Sequence, residues 1–244
     1  MTRIKLTIEY DGTNYAGWQR QINACAVQQV LEEALSRLTQ APTLLTGASR
    51  TDAGVHALGQ VAHFDTLSRI PPEKYAYALN TLLPSDVRVV ASQAVSPDFH
   101  ARFDTIGKRY RYRIYAQPHA SALYRNQCAH VIYPLDLALM REEARQMLGT
   151  HDFGAFAASG SVIKDTTRTI TACDVLISPP FVCLTVEGSG FLYNMVRILA
   201  GTLIAVGAGK LEPGAIARAL AQKDRLRLGP TAPPQGLTLM QVFY

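Results

Sequence analysis

Apolar and polar residues alternate at the start of the chain. Ile4, Leu6 and Ile8 are interleaved with Lys5, Thr7 and Glu9, the period of a strand with one wet face. The period then changes. Val27, Val30, Leu31, Ala34, Leu35 and Leu38 recur at spacings of three and four, which builds one apolar stripe along a helix. Two extended segments follow, around 43–48 and 58–65, joined by a glycine-containing loop. A second helix is predicted after Pro71-Pro72 and ends before Pro84, with Tyr75, Ala78, Leu79 and Leu82 facing inward. A strand over 87–95 closes this part. The order β-α-β-β-α-β is that of the split βαβ, ferredoxin-like unit.

The second half repeats the theme behind an additional strand. Residues 108–115 and 128–133 read as extended, and 135–148 as a helix. Residues 168–177 and 181–187 form a hairpin across Ser178-Pro179-Pro180. A helix is predicted over 191–208, a shorter one over 214–222, and a final strand over 237–244. The expected fold is therefore α+β, built from two ferredoxin-like halves, residues 1–104 and 105–244.

Composition narrows the class without naming it. The chain has 244 residues, 48% hydrophobic and 18% charged, which is ordinary for a folded protein and excludes a disordered one. Its net charge of +5 suits a polyanionic partner but also many enzymes with neutral substrates. The four cysteines have no C-x-x-C pair, so they read as small buried thiols in a reducing compartment. No secretory signal is visible, and the longest apolar stretch, 198–208, is too short to span a bilayer. The expected location is the cytoplasm, with no membrane contact.

Three glycine motifs fail on inspection. Gly207-Ala208-Gly209-Lys210 has Ile204 where a P-loop needs its leading glycine and Leu211 where it needs Ser or Thr. The pair Gly188 and Gly190 lacks a third glycine, and the run from Gly47 to Thr51 lacks the last glycine of a nucleophile elbow. The six histidines show no metal-ligand spacing.

Two stretches carry more. In Lys108-Arg109-Tyr110-Arg111-Tyr112-Arg113-Ile114-Tyr115, strand periodicity puts three arginines on one face and Tyr110, Tyr112 and Ile114 on the other. Guanidinium groups suit phosphates and tyrosine rings suit bases, yet a half-buried strand with Tyr inside and Arg in water has the same pattern. Arg50-Thr51-Asp52-Ala53-Gly54-Val55-His56 is the densest polar cluster in an apolar neighbourhood. Asp52 could serve as nucleophile or base with room beside Ala53 and Gly54, or it could merely turn a loop.

Read together, the segments resemble the TruA-type tRNA pseudouridine synthases along essentially the whole chain. The matching pieces stand in family order. The first two are Tyr10-Asp11-Gly12-Thr13-Asn14-Tyr15-Ala16-Gly17-Trp18-Gln19 and Thr46-Gly47-Ala48-Ser49-Arg50-Thr51-Asp52-Ala53-Gly54-Val55-His56-Ala57. Then come Phe99-His100-Ala101-Arg102-Phe103, Lys108-Arg109-Tyr110-Arg111-Tyr112, His151-Asp152-Phe153, Arg168-Thr169-Ile170 and Gly190-Phe191-Leu192-Tyr193-Asn194-Met195-Val196-Arg197. The resemblance implies isomerisation of uridine to pseudouridine at positions 38, 39 and 40 of the tRNA anticodon stem-loop. It assigns Asp52 as the catalytic aspartate and Tyr110 as the tyrosine that packs on the target base. Arg50 would occupy the space left by the flipped nucleotide, and Arg197 would pair with the catalytic carboxylate. It also implies one extended, mixed, mostly antiparallel sheet with helices on one side, a central basic cleft and a homodimer. Ser49 and Ile198 depart from the family pattern, where glycine and asparagine are usual.

The reaction breaks the N1–C1′ bond, turns the uracil and joins C1′ to C5. Nothing is oxidised and no group is lost, so no cofactor and no metal are demanded. Extruding a stacked base costs a few kcal/mol, which Arg50 in the gap and Tyr110 on the uracil would offset. The carboxylate serves either by attack on C1′ or C6 or by proton abstraction at C2′, and the residues do not choose. Two other classes compete: a non-catalytic RNA-binding protein on the same halves, and a carboxylate-dependent hydrolase or lyase of a small molecule.

Overall fold

The computed structural model describes residues 1–157 and 165–244. Among them, ten strands and five α-helices make an α+β fold whose strand pairing is mixed but mostly antiparallel. The chain divides into two compact units, Met1–Ile106 with Thr238–Tyr244, and Gly107–Leu237. The final strand, which sequence order groups with the second half, thus packs with the first.

The first unit contains β1 (Thr2–Tyr10), α1 (Val27–Thr39), β2 (Thr46–Gly47), β3 (His56–Thr66), α2 (Tyr75–Asn80), β4 (Val87–Val95) and most of β10 (Leu237–Phe243). Strand β1 lies between β3 and β4, antiparallel to both, as in the split βαβ arrangement. β2 pairs antiparallel and β10 parallel with β3. The alternation that predicted β1 also decides which face is buried. Ile4, Leu6 and Ile8 stand opposite Phe64, Ala62 and Gln60, and all six are buried. Phe64 meets Tyr75 of α2 edge to face at 5.3 Å, so this is the helix-covered side. Each such aliphatic side chain contributes roughly 1.5–3 kcal/mol on burial. The other face pairs Arg3 with Asp65 and Lys5 with His63. Residues 99–101 lie over it: Arg3 donates to the Phe99 carbonyl at 2.9 Å, and the Ala101 amide to His63 Nδ1 at 3.1 Å.

Helix α2 is shorter than its apolar pattern predicts. A 3₁₀ turn, Pro72–Lys74, precedes it, and regular α-helix stops at Asn80. The Asn80 side chain exchanges two 2.9 Å hydrogen bonds with the backbone of Val89 in β4, an alternative to continuing the helix.

The second unit contains β5 (Gly107–Ala116), β6 (Ala129–Val131), α3 (Leu137–Arg145), β7 (Gly149–Asp152), β8 (Thr167–Ser178), β9 (Phe181–Gly188), α4 (Met195–Gly207) and α5 (Ala215–Gln222). Strands β7, β8 and β9 run as an antiparallel meander that ends on β5, with β6 parallel to β5. Asp136 caps α3 through the amides of Ala138 and Leu139. Glu143 of α3 is buried and accepts the amides of Gly214 and Ile216, both at 2.7 Å. A carboxylate there satisfies amides at the start of α5 that have no helical partner. β7 has no sequence signal, because Gly149-Thr150-His151-Asp152 is short and polar. Helix α4 starts at Met195 instead of 191, because Asn194 sits in the left-handed region at φ 61°.

Three of the four cysteines are buried, as expected, and burial pushes their thiols up, that of Cys173 to about 12. Cys25 is exposed, against expectation. Among the described residues, no helix is long and apolar enough to cross a membrane, and no cluster of His, Cys, Asp and Glu could hold a metal ion.

Candidate active site

Asp52 lies in the loop between β2 and β3 of the first unit. Its carbonyl accepts the Val55 amide at 3.1 Å, closing a tight turn in which Gly54 has φ 75°. That is the geometry a type II turn reserves for glycine. Asp52 is half-buried, Ala53 exposed, and Thr51, Val55 and His56 are buried. The turn therefore lifts one carboxylate and one small residue out of an otherwise buried segment.

What fixes the turn is mostly remote in sequence. The Trp18 amide donates to the Thr51 carbonyl at 3.0 Å, and the Gly54 amide to the Tyr15 carbonyl at 3.3 Å. Tyr10 Oη and Thr51 Oγ1 are 2.7 Å apart in a buried hydrogen bond. The Gly12 amide donates to His56 Nδ1 at 3.0 Å, and the same nitrogen lies 3.1 Å from Asp11 Oδ1. Burial works to raise the Asp11 carboxyl, but hydrogen bonds from Thr13 and the nearby His56 outweigh it and hold it below the usual value. Gly12 and Gly17 explain the first matching segment. A Cβ on Gly12 would overlap the Val55 carbonyl, and one on Gly17 would lie 2.5 Å from the Thr51 oxygen. The segment from Tyr10 to Gln19 is thus the mould around the Asp52 turn.

Gln60 is a second fixing element that sequence reasoning missed. It is fully buried beside Ile8, on the helix-covered face, yet its amide is satisfied. Nε2 donates to the Ser49 carbonyl at 2.6 Å, and Oε1 accepts the Ser49 and Val61 amides at 3.2 and 3.1 Å. The side chain replaces a backbone partner just past the end of β2; before it, the amides of Thr43 and Leu45 go to Ser36 and Glu32 of α1, so the extended stretch predicted over 43–48 shows only two strand residues. Its one legible signal is a lone amide at an inward position of an apolar strand. Ser49 does not need a glycine conformation, for its φ is not positive.

Arg50 stands two residues before Asp52. It is exposed, and its guanidinium makes no hydrogen bond among the described residues. Tyr110 and Arg197 belong to the second unit. Tyr110 is buried on β5 and meets Phe191 edge to face at 5.1 Å. Arg197 is in the first turn of α4, where Nε donates to the Ala232 carbonyl at 2.8 Å and Nη1 to Asn194 Oδ1 at 2.7 Å. The left-handed Asn194 that delays α4 thereby orients this arginine. Ile198 is buried in the same helix.

The arginine row of β5 lies on the opposite face from Tyr110 and Tyr112, as the strand period predicts. Tyr110, Tyr112 and Ile114 are buried, and the three arginines are half-exposed. Arg109 pairs with Glu187 across the ladder at 2.6 Å, and Arg113 lies over the Phe181 ring. Burial and the neighbouring Arg113 lower the pKa of Arg111, whose Nε has no partner among the described residues.

Comparison with known proteins agrees along the chain. A family described as tRNA pseudouridine synthase matches residues 6–104 and 144–244. The tRNA pseudouridine synthase A of Ruminiclostridium cellulolyticum is 51% identical over 245 residues, covering all of both chains. That of Acetivibrio thermocellus is 50% identical, and that of Geobacter sulfurreducens 47%, each over 244 residues and the full length of both. With the Asp52 turn, its glycine mould and the Arg197 helix start all lying inside the matched residues, the chain belongs to the tRNA pseudouridine synthases, an isomerase family acting on tRNA.

Proposed function

We propose that the chain isomerises uridine to pseudouridine at positions 38, 39 and 40 of the tRNA anticodon stem-loop, with Asp52 as the catalytic carboxylate. The observation that carries the reading is the Asp52 turn. A half-buried carboxylate is presented beside an exposed alanine, on a backbone gripped by Tyr10, Gly12, Gly17, Trp18 and Gln60. An acid that merely turned a loop would not need so much of the unit shaped around it. Carboxylate catalysis does need it, because small misplacements of a reacting group are costly in rate.

In this reading the target uridine is flipped out of its stack before reaction. The exposed, uncommitted Arg50 takes the vacated space. Tyr110 packs on the uracil, and its ring is already held on edge by Phe191. Arg197 favours the ionised carboxylate, and its own orientation is fixed by Asn194 and Ala232. The protein works in the cytoplasm as a homodimer.

Asp52→Asn keeps the side chain's size and removes its charge. It should abolish release of label from uracil C5 in undermodified tRNA while tRNA binding persists. Turnover like that of the wild type would sink the assignment. Tyr110→Phe should keep more activity than Tyr110→Ala, whereas equal losses would shift the role from the ring to the hydroxyl.

A further inference from the structure

The segment Phe99-His100-Ala101-Arg102-Phe103 matches the family and has no part in the chemistry proposed above. In the first unit it forms a one-turn loop closed by the Asp104 amide on the His100 carbonyl at 3.1 Å. His100 Nδ1 accepts two backbone amides, from Arg102 at 3.2 Å and Phe103 at 3.1 Å, and the His100 amide donates to Asp104 Oδ2 at 2.8 Å. The imidazole is therefore fixed in orientation and in tautomer, with its proton on Nε2 when neutral. Phe103 stacks on this ring, centroids 4.2 Å apart and planes 23° from parallel, yet it remains 77% exposed. Behind His100 stands the buried His63 at 5.1 Å, then Phe99, then Tyr244 with Lys5 over both of the last two rings.

A single exposed phenylalanine needs no explanation. Here, however, the ring is braced from below and presents its outer face to solvent. Arg102, the preceding residue, is exposed and makes no side-chain hydrogen bond among the described residues. A flat apolar ring next to an uncommitted guanidinium matches the two halves of a nucleotide, the base by stacking and the phosphate by charge.

We propose that Phe103, braced by His100 and flanked by Arg102, is a stacking platform for an unpaired nucleobase of the tRNA, separate from the base that is isomerised. The platform rests on the reading of tRNA as substrate, and it adds a fixed contact that registers the RNA on the first unit. Neither side chain belongs to the core, so both can be truncated without opening it.

Equilibrium binding of an undermodified tRNA transcript tests this, with thermal midpoints measured alongside to show that each variant is folded. Phe103→Ala should raise Kd by at least about fivefold, the lower end of what one base stack is worth. Phe103→Tyr should stay within about twofold of the wild type, and Phe103→Leu should resemble the alanine variant. Arg102→Gln should weaken binding and reduce the slope of log affinity against log salt by about one. Wild-type affinity in Phe103→Ala would overturn the platform, as would Phe103→Leu binding as well as Phe103→Tyr. A wild-type chain that fails to bind the transcript would overturn the tRNA reading itself, and the platform with it.

Discussion

The Asp52 turn and strand β5 are held in opposite ways. Tyr110 sits on a strand whose ladder with β9 runs from Lys108 to Ile114, so its backbone position is set by neighbours in one regular array. The turn at Asp52 has no ladder. Its position comes from single contacts, to Tyr10, Gly12, Tyr15, Gly17 and Trp18 in one irregular segment and to Gln60 in β3. A ladder shares a local error over many bonds. A set of single grips does not, so errors of equal size should fall on stability in β5 and on activity in the turn.

The sharpest way to break this contrast is a pair of glycine substitutions. Gly12→Ala drives a methyl into the Val55 carbonyl and must shift the Asp52 turn. We expect it to lose at least about a hundredfold in turnover, since displacement on the ångström scale can cost that much. Gly236→Ala places a Cβ 2.5 Å from the Tyr112 ring, under β5. It should cost about 1–3 kcal/mol by overpacking, seen as a lower melting temperature, while each folded molecule keeps most of its turnover. If both variants lost activity and stability in the same proportion, the contrast would collapse.

Gln60→Leu is a gentler probe. It removes the side-chain partner of the Ser49 amide and carbonyl and of the Val61 amide while keeping the volume. Each buried hydrogen bond lost should cost about 1–3 kcal/mol, and turnover should fall about tenfold or more as the turn loosens. Turnover unchanged at a lowered melting temperature would confine Gln60 to a structural part.

The smallest effect concerns pH. Burial, with Arg3 and His100 nearby, lowers the pKa of His63 below its usual 6.5. The unfolded chain takes up this proton near the ordinary histidine value, and the folded chain only at lower pH. Between those points the unfolded state binds more protons, so stability falls as pH drops below about 6.5. His63→Asn, whose carbonyl can still accept the Ala101 amide, should flatten that slope in denaturant titrations at pH 7 and pH 5.5. An unchanged slope would place the sensitive group elsewhere.

Much of this was legible in the sequence, for reasons that differ by element. Alternation sufficed for β1 and β5, because each has one face in a core. The stripe sufficed for α1. The short β7 and the truncated α2 were invisible, since the first is paired by its partner β8 and the second is ended by a side chain that bonds to a strand nine residues away. Asp52 was prominent as a residue but ambiguous as a site. The reason for Gly12 and Gly17 lay in a backbone that passes against them, and no periodicity reports such a crossing. Gln60 left only the faint trace of an amide among apolar neighbours.

Strand β10 has a consequence for the order in which the chain can mature. Its residues from Thr238 complete the first unit by lying parallel to β3, where Thr238 and Leu239 stand beside His56 and Ala57, just past the Asp52 turn. During synthesis from the N-terminus, this strand emerges only after the whole second unit has been made. The unit that carries the Asp52 turn is therefore finished last, and a fragment ending at Ile106 would leave that edge of β3 bare. A nascent chain acquires its completed Asp52 neighbourhood only when the second unit is already there to be used.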